Sequence, residues 1–236
     1  MKRKIYHIVF ALLLLLSKSS WSQKSSNQPP WFFYPKSFNT LNFATSLGLS
    51  ITKFPVNLVD DEINTAPLLK FDFRMGVSKT ADLTFQFYTN YIVNNGSLGM
   101  QWQLFDGDLC AAIGAKTSVW FGQLELEAFR LKSMGVVISP LFNIGYRTDD
   151  FTISSIIEIQ SSYMKTLSHD ILLGEFTRPL SAYSIRFIIE QPLWNDQWVA
   201  LEIKLNYAKF YYQSWLTYST IDEFFFYPEF SFGFIL

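Results

Sequence analysis

The sequence predicts an all-β chain: a transmembrane, antiparallel, up-and-down β-barrel of about ten strands. Three observations carry this. Apolar residues recur at every second position over spans of about nine to eleven residues, which is period-two strand patterning at the length a tilted strand needs to cross a bilayer. The positions between them are small or charged. The connections sort into short turns on one side and long loops on the other.

Residues 1–22 are read as a signal peptide rather than as fold. Lys2, Arg3 and Lys4 precede a short apolar run over 8–16, and Ser20-Trp21-Ser22 offers a small-residue cleavage site that leaves Gln23 first. The run is short for a transmembrane helix, and no cysteine follows it to carry a lipid anchor. Cleavage removes Lys2, Arg3, Lys4 and Lys18, so 15 of the 19 basic residues remain against 20 acidic ones, a net charge of about −5. That balance disfavours nucleic acid as a partner. Cys110 is the single cysteine, so no intrachain disulfide forms.

Residues 23–39 contain Pro29, Pro30 and Pro35 and no alternation, and are read as a leader on the periplasmic side before a barrel over 40–236. Trp31, Phe32, Phe33 and Tyr34 are unusual in a solvated linker. They rest at the membrane interface or tuck into the barrel mouth; the sequence leaves both open.

The first strand, 41–51, turns Leu41, Phe43, Thr45, Leu47, Leu49 and Ile51 outward. The second, 69–77, places Leu69, Phe71, Phe73, Met75 and Val77 outside and Lys70, Asp72, Arg74 and Gly76 inside. A third spans 82–93, and Asn94-Asn95-Gly96 is a strong hairpin signal. The fourth carries Leu98, Met100, Trp102 and Leu104, and Asp106-Gly107-Asp108 turns into a fifth over about 109–119. Strands at 134–147, 151–163, 182–191, 198–208 and 226–236 complete ten. Long loops are expected over roughly 52–67, 120–134, 164–181 and 209–224. Pro140 and Pro228 fall inside proposed strands and require a bulge or a rim position. Residues 122–132 suit a strand extension or a short helix, so counts of eight or twelve stay open.

A soluble β-barrel also alternates, with its apolar face inward. Strand length argues against it, as do the many Gly, Ala and Ser residues on the polar faces, which suit a crowded lumen. Aromatics near strand ends, such as Tyr91, Trp120, Tyr146 and Trp198, fit interfacial girdles. The last strand alternates Phe230, Phe232, Phe234 and Leu236 with Glu229, Ser231, Gly233 and Ile235. It resembles the C-terminal strand of small bacterial outer-membrane β-barrel proteins, although those end on an aromatic residue. The resemblance covers about residues 40–236 and is architectural. It implies the outer membrane of a Gram-negative cell envelope, with outer-membrane lipid and the barrel-assembly machinery, engaged through that strand, as partners.

The inward faces collect Lys70, Arg74, Lys116, Arg147, Arg186 and Lys204 against Asp72, Asp82, Glu158, Glu190, Glu202 and Glu229. Opposite charges inside a narrow barrel persist when paired. They predict a salt-bridged, largely plugged lumen, with a narrow channel for small solutes as the alternative. Catalytic candidates are few: His169 and Asp170 in one expected outer loop, Asp60 and Asp61 in another. Opposed loops carrying acids and a histidine superficially resemble omptin-type outer-membrane proteases, but adjacent His169 and Asp170 would splay apart on an extended chain. No metal-ligand spacing, phosphate loop or cofactor motif is present in the sequence. The function expected is non-enzymatic, structural or ligand-binding through the outer loops, with a surface hydrolase as the remote alternative.

Overall fold

A computed structural model describes residues 31–53, 65–90, 92–126, 129–169, 171–194, 197–209 and 223–236. Its strands are β1 (Phe43–Lys53), β2 (Thr65–Gly76), β3 (Ala81–Thr89), β4 (Val93–Phe105), β5 (Leu109–Leu126), β6 (Phe129–Arg147), β7 (Thr152–Ser168), β8 (Ile171–Trp194), β9 (Gln197–Ala208) and β10 (Phe225–Ile235). Each pairs antiparallel with its sequence neighbour, and β1 pairs with β10, so the ten strands close into one barrel.

Closure fixes which face of each strand is inside, because a one-residue slip would turn every side chain over. Leu69, Leu98, Phe121, Ile138, Ile157, Ile203 and Phe230 stand exposed on the outer surface, while Lys70, Asp72, Arg74, Glu158, Arg186 and Glu190 are buried inside. Such inverted polarity is costly in water and favourable in a bilayer. On β6 the outward set from Met134 to Tyr146 holds no charge, a belt of roughly 30 Å once strand tilt is included.

Several boundaries differ from the sequence reading. Asn94-Asn95-Gly96 is not a turn; the three residues lie in β4 opposite Thr89, Tyr88 and Phe87. The chain reverses between the end of β3 at Thr89 and the start of β4 at Val93 instead, and Asn90 Oδ1 accepts the N–H groups of Ile92 and Val93 at 2.8 and 2.6 Å. The expected long loops at 120–134 and 164–181 are mostly strand: β5 pairs with β6 up to Leu126 and Phe129, and β7 with β8 up to Ser168 and Ile171. Residues 122–126 and 129–132 are therefore strand extension, not helix. Pairing across each hairpin satisfies backbone groups that a solvated loop would leave to water. The other two long connections, 54–64 and 210–222, lie outside the described residues.

The prolines find the accommodations their missing N–H demands. Pro228 lies one residue beyond the end of the β1–β10 ladder at Glu229. Pro140 faces outward, and the β6–β7 ladder simply skips from Ile138–Ser161 to Leu141–Glu158 without a change of register. At the short-turn end, the connections 77–80, 106–108 and 148–151 gather beside both the start of β1 and Leu236. That end positions the site.

Candidate functional site

The lumen at the short-turn end is filled by the chain's own segment from Trp31 to Phe38. Trp31, Phe32, Phe33 and Tyr34 are all buried. Of the two locations the sequence left open, the structure selects the interior. No backbone–backbone hydrogen bond among the described residues involves 31–38, so the segment is not a strand. Barrel side chains satisfy its backbone instead.

Glu190 of β8 accepts the N–H of Phe32 at 2.7 Å, of Phe33 at 3.1 Å and of Tyr34 at 3.0 Å, and the hydroxyl of Thr152 at 3.1 Å. Three successive N–H groups aimed at one carboxylate compensate a buried anion that has no cationic partner within bonding distance among the described residues. Arg74 of β2 does the converse. Its Nη1 donates to the carbonyls of Phe32 and Tyr34 and its Nη2 to that of Lys36, each at 2.7 Å. Asp82, brought opposite Gly76 by the short β2–β3 turn, accepts from Arg74 Nη2 at 2.6 Å and from the Phe38 N–H at 2.9 Å. Asn143 donates to the Phe33 carbonyl at 3.0 Å.

The side chains of the segment also find partners. Trp31 meets Trp198 edge to face, with centroids 4.5 Å apart. Phe32 and Phe33 join Ile156, Ile188, Ala200 and Ile235 in one apolar cluster. Tyr34 packs with Trp31 and Cys110 and donates its hydroxyl to the Gly107 carbonyl at 2.6 Å. Gly145 makes this possible: a Cβ there would lie 2.6 Å from Pro35 Cδ and 2.8 Å from Tyr34 Cδ2. Where the segment leaves the lumen, Lys36 pairs with Asp106 at 2.9 Å. Partial burial pushes the Asp106 carboxyl up, but the Lys36 ammonium and the Gly107 N–H hold it below its ordinary value.

Next to the segment lies a layer of ion pairs. Lys70 bonds Glu202 and stands 3.4 Å from Asp72, with its ammonium 5.0 Å from the Phe33 ring centroid. Arg186 bridges Glu202 at 3.6 Å and Glu158 at 3.5 Å. Glu158 also takes Lys116 at 2.7 Å and Lys204 at 3.7 Å. Glu229 accepts from the Ser50 hydroxyl at 2.6 Å. The twelve charges read from the sequence thus fall into groups. Arg74, Asp82 and Glu190 hold the segment, while Lys70, Asp72, Lys116, Glu158, Arg186, Glu202 and Lys204 form the layer. Glu229 bonds β1, and Arg147 stands apart at the short-turn rim beside Asp108 at 3.7 Å, over the Tyr34 ring. A cavity of about 50 Å³ remains between the segment and the layer, bordered by Phe32, Arg74, Asn143, Glu158 and Arg186.

His169 sits exposed at the tip of the β7–β8 hairpin with φ 48°, its Nδ1 3.2 Å from the Ser168 hydroxyl. Asp60, Asp61 and Asp170 lie outside the described residues. What sequence reasoning missed is the pairing of 31–38 with Glu190 and Arg74. The one signal for it was an aromatic run where a solvated linker was expected.

No protein-family model and no curated protein matches the chain. Among solved structures it is similar to the outer membrane protease OmpT of Escherichia coli, at 10% identity and TM-score 0.43, over 82% of this chain and 93% of that one. It is also similar to Neisserial surface protein A, at 8% identity and TM-score 0.39, over 82% and 96%. A third is the translocator domain of the autotransporter NalP from Neisseria meningitidis, at 7% identity and TM-score 0.39, over 82% and 86%.

Proposed function

We propose that this chain is a non-enzymatic barrel of the Gram-negative outer membrane. Its lumen is closed, and its recognition surface is formed by the connections at the end opposite the short turns. The observation that carries closure is the buried segment 31–38 stacked on the ion-pair layer. Together they bring side chains from β2, β5, β7, β8 and β9 into contact inside the barrel. Burying the four cations and three anions of the layer costs several kcal/mol per ion unless they pair, so the paired layer resists the hydration that a pore requires. The outward apolar belt and the exposed phenylalanines of β10 support a lipid environment and engagement by the assembly machinery through that strand. Loops held on a rigid scaffold are where binding concentrates.

The refolded protein in planar bilayers tests this. A closed barrel gives no discrete conductance steps and migrates differently on gels with and without boiling. Steps in the unmodified protein would favour the other reading, a narrow channel for small solutes, for which the polar lining and the small internal cavity speak.

A further inference from the structure

We infer that the short-turn vestibule of the barrel is a peptide-binding site, filled in cis by residues 31–38 and able to take a peptide of the same aromatic kind in trans. This rests on the closed-barrel reading and adds that the closure is exchangeable.

The barrel reads the main chain of the segment. Glu190 gathers three consecutive N–H groups, and Arg74 gathers the carbonyls of residues 32, 34 and 36. Among the described residues no ladder bond ties the segment to a strand, so its departure leaves the closed ten-strand ladder intact. This is how a receptor groove holds a peptide: main-chain bonds give affinity and pockets for side chains give specificity. The pockets are present. Trp31 is received by Trp198, and Tyr34 enters the slot that Gly145 leaves open. Aromatic anchors in such pockets dominate binding energy.

The tether is placed for release. Between the segment and β1, Leu41 is 74% exposed and held at φ 68°, a conformation that costs an L-residue with a bulky side chain. Leu41 donates to the Gly76 carbonyl and Asn42 accepts the Gly76 N–H, which pins the chain to the end of β2 just after the segment, so a hinge before Leu41 moves the segment without unpairing a strand. The ligand that fits is a proline-punctuated aromatic peptide without charge at its centre, presented from the short-turn side.

Cys110 reports occupancy without any substitution, because it is fully buried beside Trp31 and Tyr34. In the full-length refolded protein, a maleimide should label Cys110 faster than global unfolding allows. Glu190→Gln should raise that rate at least tenfold with the boiling-dependent gel shift unchanged. A second variant carries a protease site between Thr40 and Leu41 and is cut after refolding. A synthetic peptide of residues 29–40 should then restore Cys110 protection saturably, and a scrambled peptide should not. Labelling only at the unfolding rate in both the unmodified protein and Glu190→Gln would overturn the proposal. So would a cut barrel that loses its gel shift with the peptide, or one that the peptide fails to protect. Conductance with Cys110 still protected would sink the closed-barrel reading alone, which keeps the two failures apart.

Discussion

The five residues Lys70 to Arg74 hold the inverted polarity in miniature. Lys70, Asp72 and Arg74 are buried, while Phe71 and Phe73 face out on the same strand and lie across from Phe87 and Phe85. Phe73→Arg sets a charge into lipid, a loss of roughly 2–4 kcal/mol near the midplane and less toward either interface. Arg74→Phe strands Asp82 and frees three carbonyls of the segment, a loss of about 3–5 kcal/mol for a fully buried pair. Urea titrations of refolding in lipid vesicles should show both variants destabilised. A harmless Phe73→Arg would mean that this face meets water. For Arg74, an inward position near Asp82 was legible from sequence, since a short turn sets adjacent strands side by side. Its carbonyl partners were not, because nothing in a linker's composition says which side chain will receive its backbone.

At the scale of the strands, glycines separate the actual turns from the apparent one. Asn94-Asn95-Gly96 has the local chemistry of a hairpin, yet ladder pairing on both sides of β4 overrides it. A Cβ added at Gly96 meets nothing within 4 Å. Gly96→Ala should therefore be neutral or stabilise by about 0.5–1 kcal/mol, since a strand glycine gives up the most backbone freedom. Gly107, in the β4–β5 turn with φ 152°, should behave oppositely, with Gly107→Ala lowering stability. Thermal or urea unfolding of the two variants compares them directly. A Gly96→Ala variant as damaged as Gly107→Ala would put the turn back at 94–96. The same override explains β5 to β8. Glu125 and Lys132 read as loop or helix in isolation, but each has a strand partner in the ladder.

Across the whole molecule, ion pairs join strands that are not neighbours in the ring: Lys70 on β2 with Glu202 on β9, across β1 and β10, and Lys116 on β5 with Glu158 on β7, across β6. They run as chords through the lumen, where ladder hydrogen bonds join only adjacent strands. Exposed charge pairs are screened over about 10 Å at 0.1 M salt, whereas buried ones are screened far less. Stability in vesicles of neutral lipid should consequently change little between 0.05 and 0.5 M sodium chloride. A steep loss with salt would indicate a hydrated lumen and count against closure.

The sequence alone determined the strand-built membrane barrel and the inward faces of its strands, because these follow from a side-chain period of two that every residue reports locally; it left eight or twelve strands open beside ten, and ring closure decided the count. The sequence also named the charges that line the lumen, with Arg147 at the rim as the exception. Which of them pair, and that three of them hold residues 31–38, was decided by tertiary structure. Phe32 meets Glu190 across 158 residues of chain, and only closure of β1 onto β10 creates the space in which they meet. The turn positions belong to the same class. A hairpin signal is a local preference, and register is set by the sum of bonds on both edges of a strand, which outweighs it.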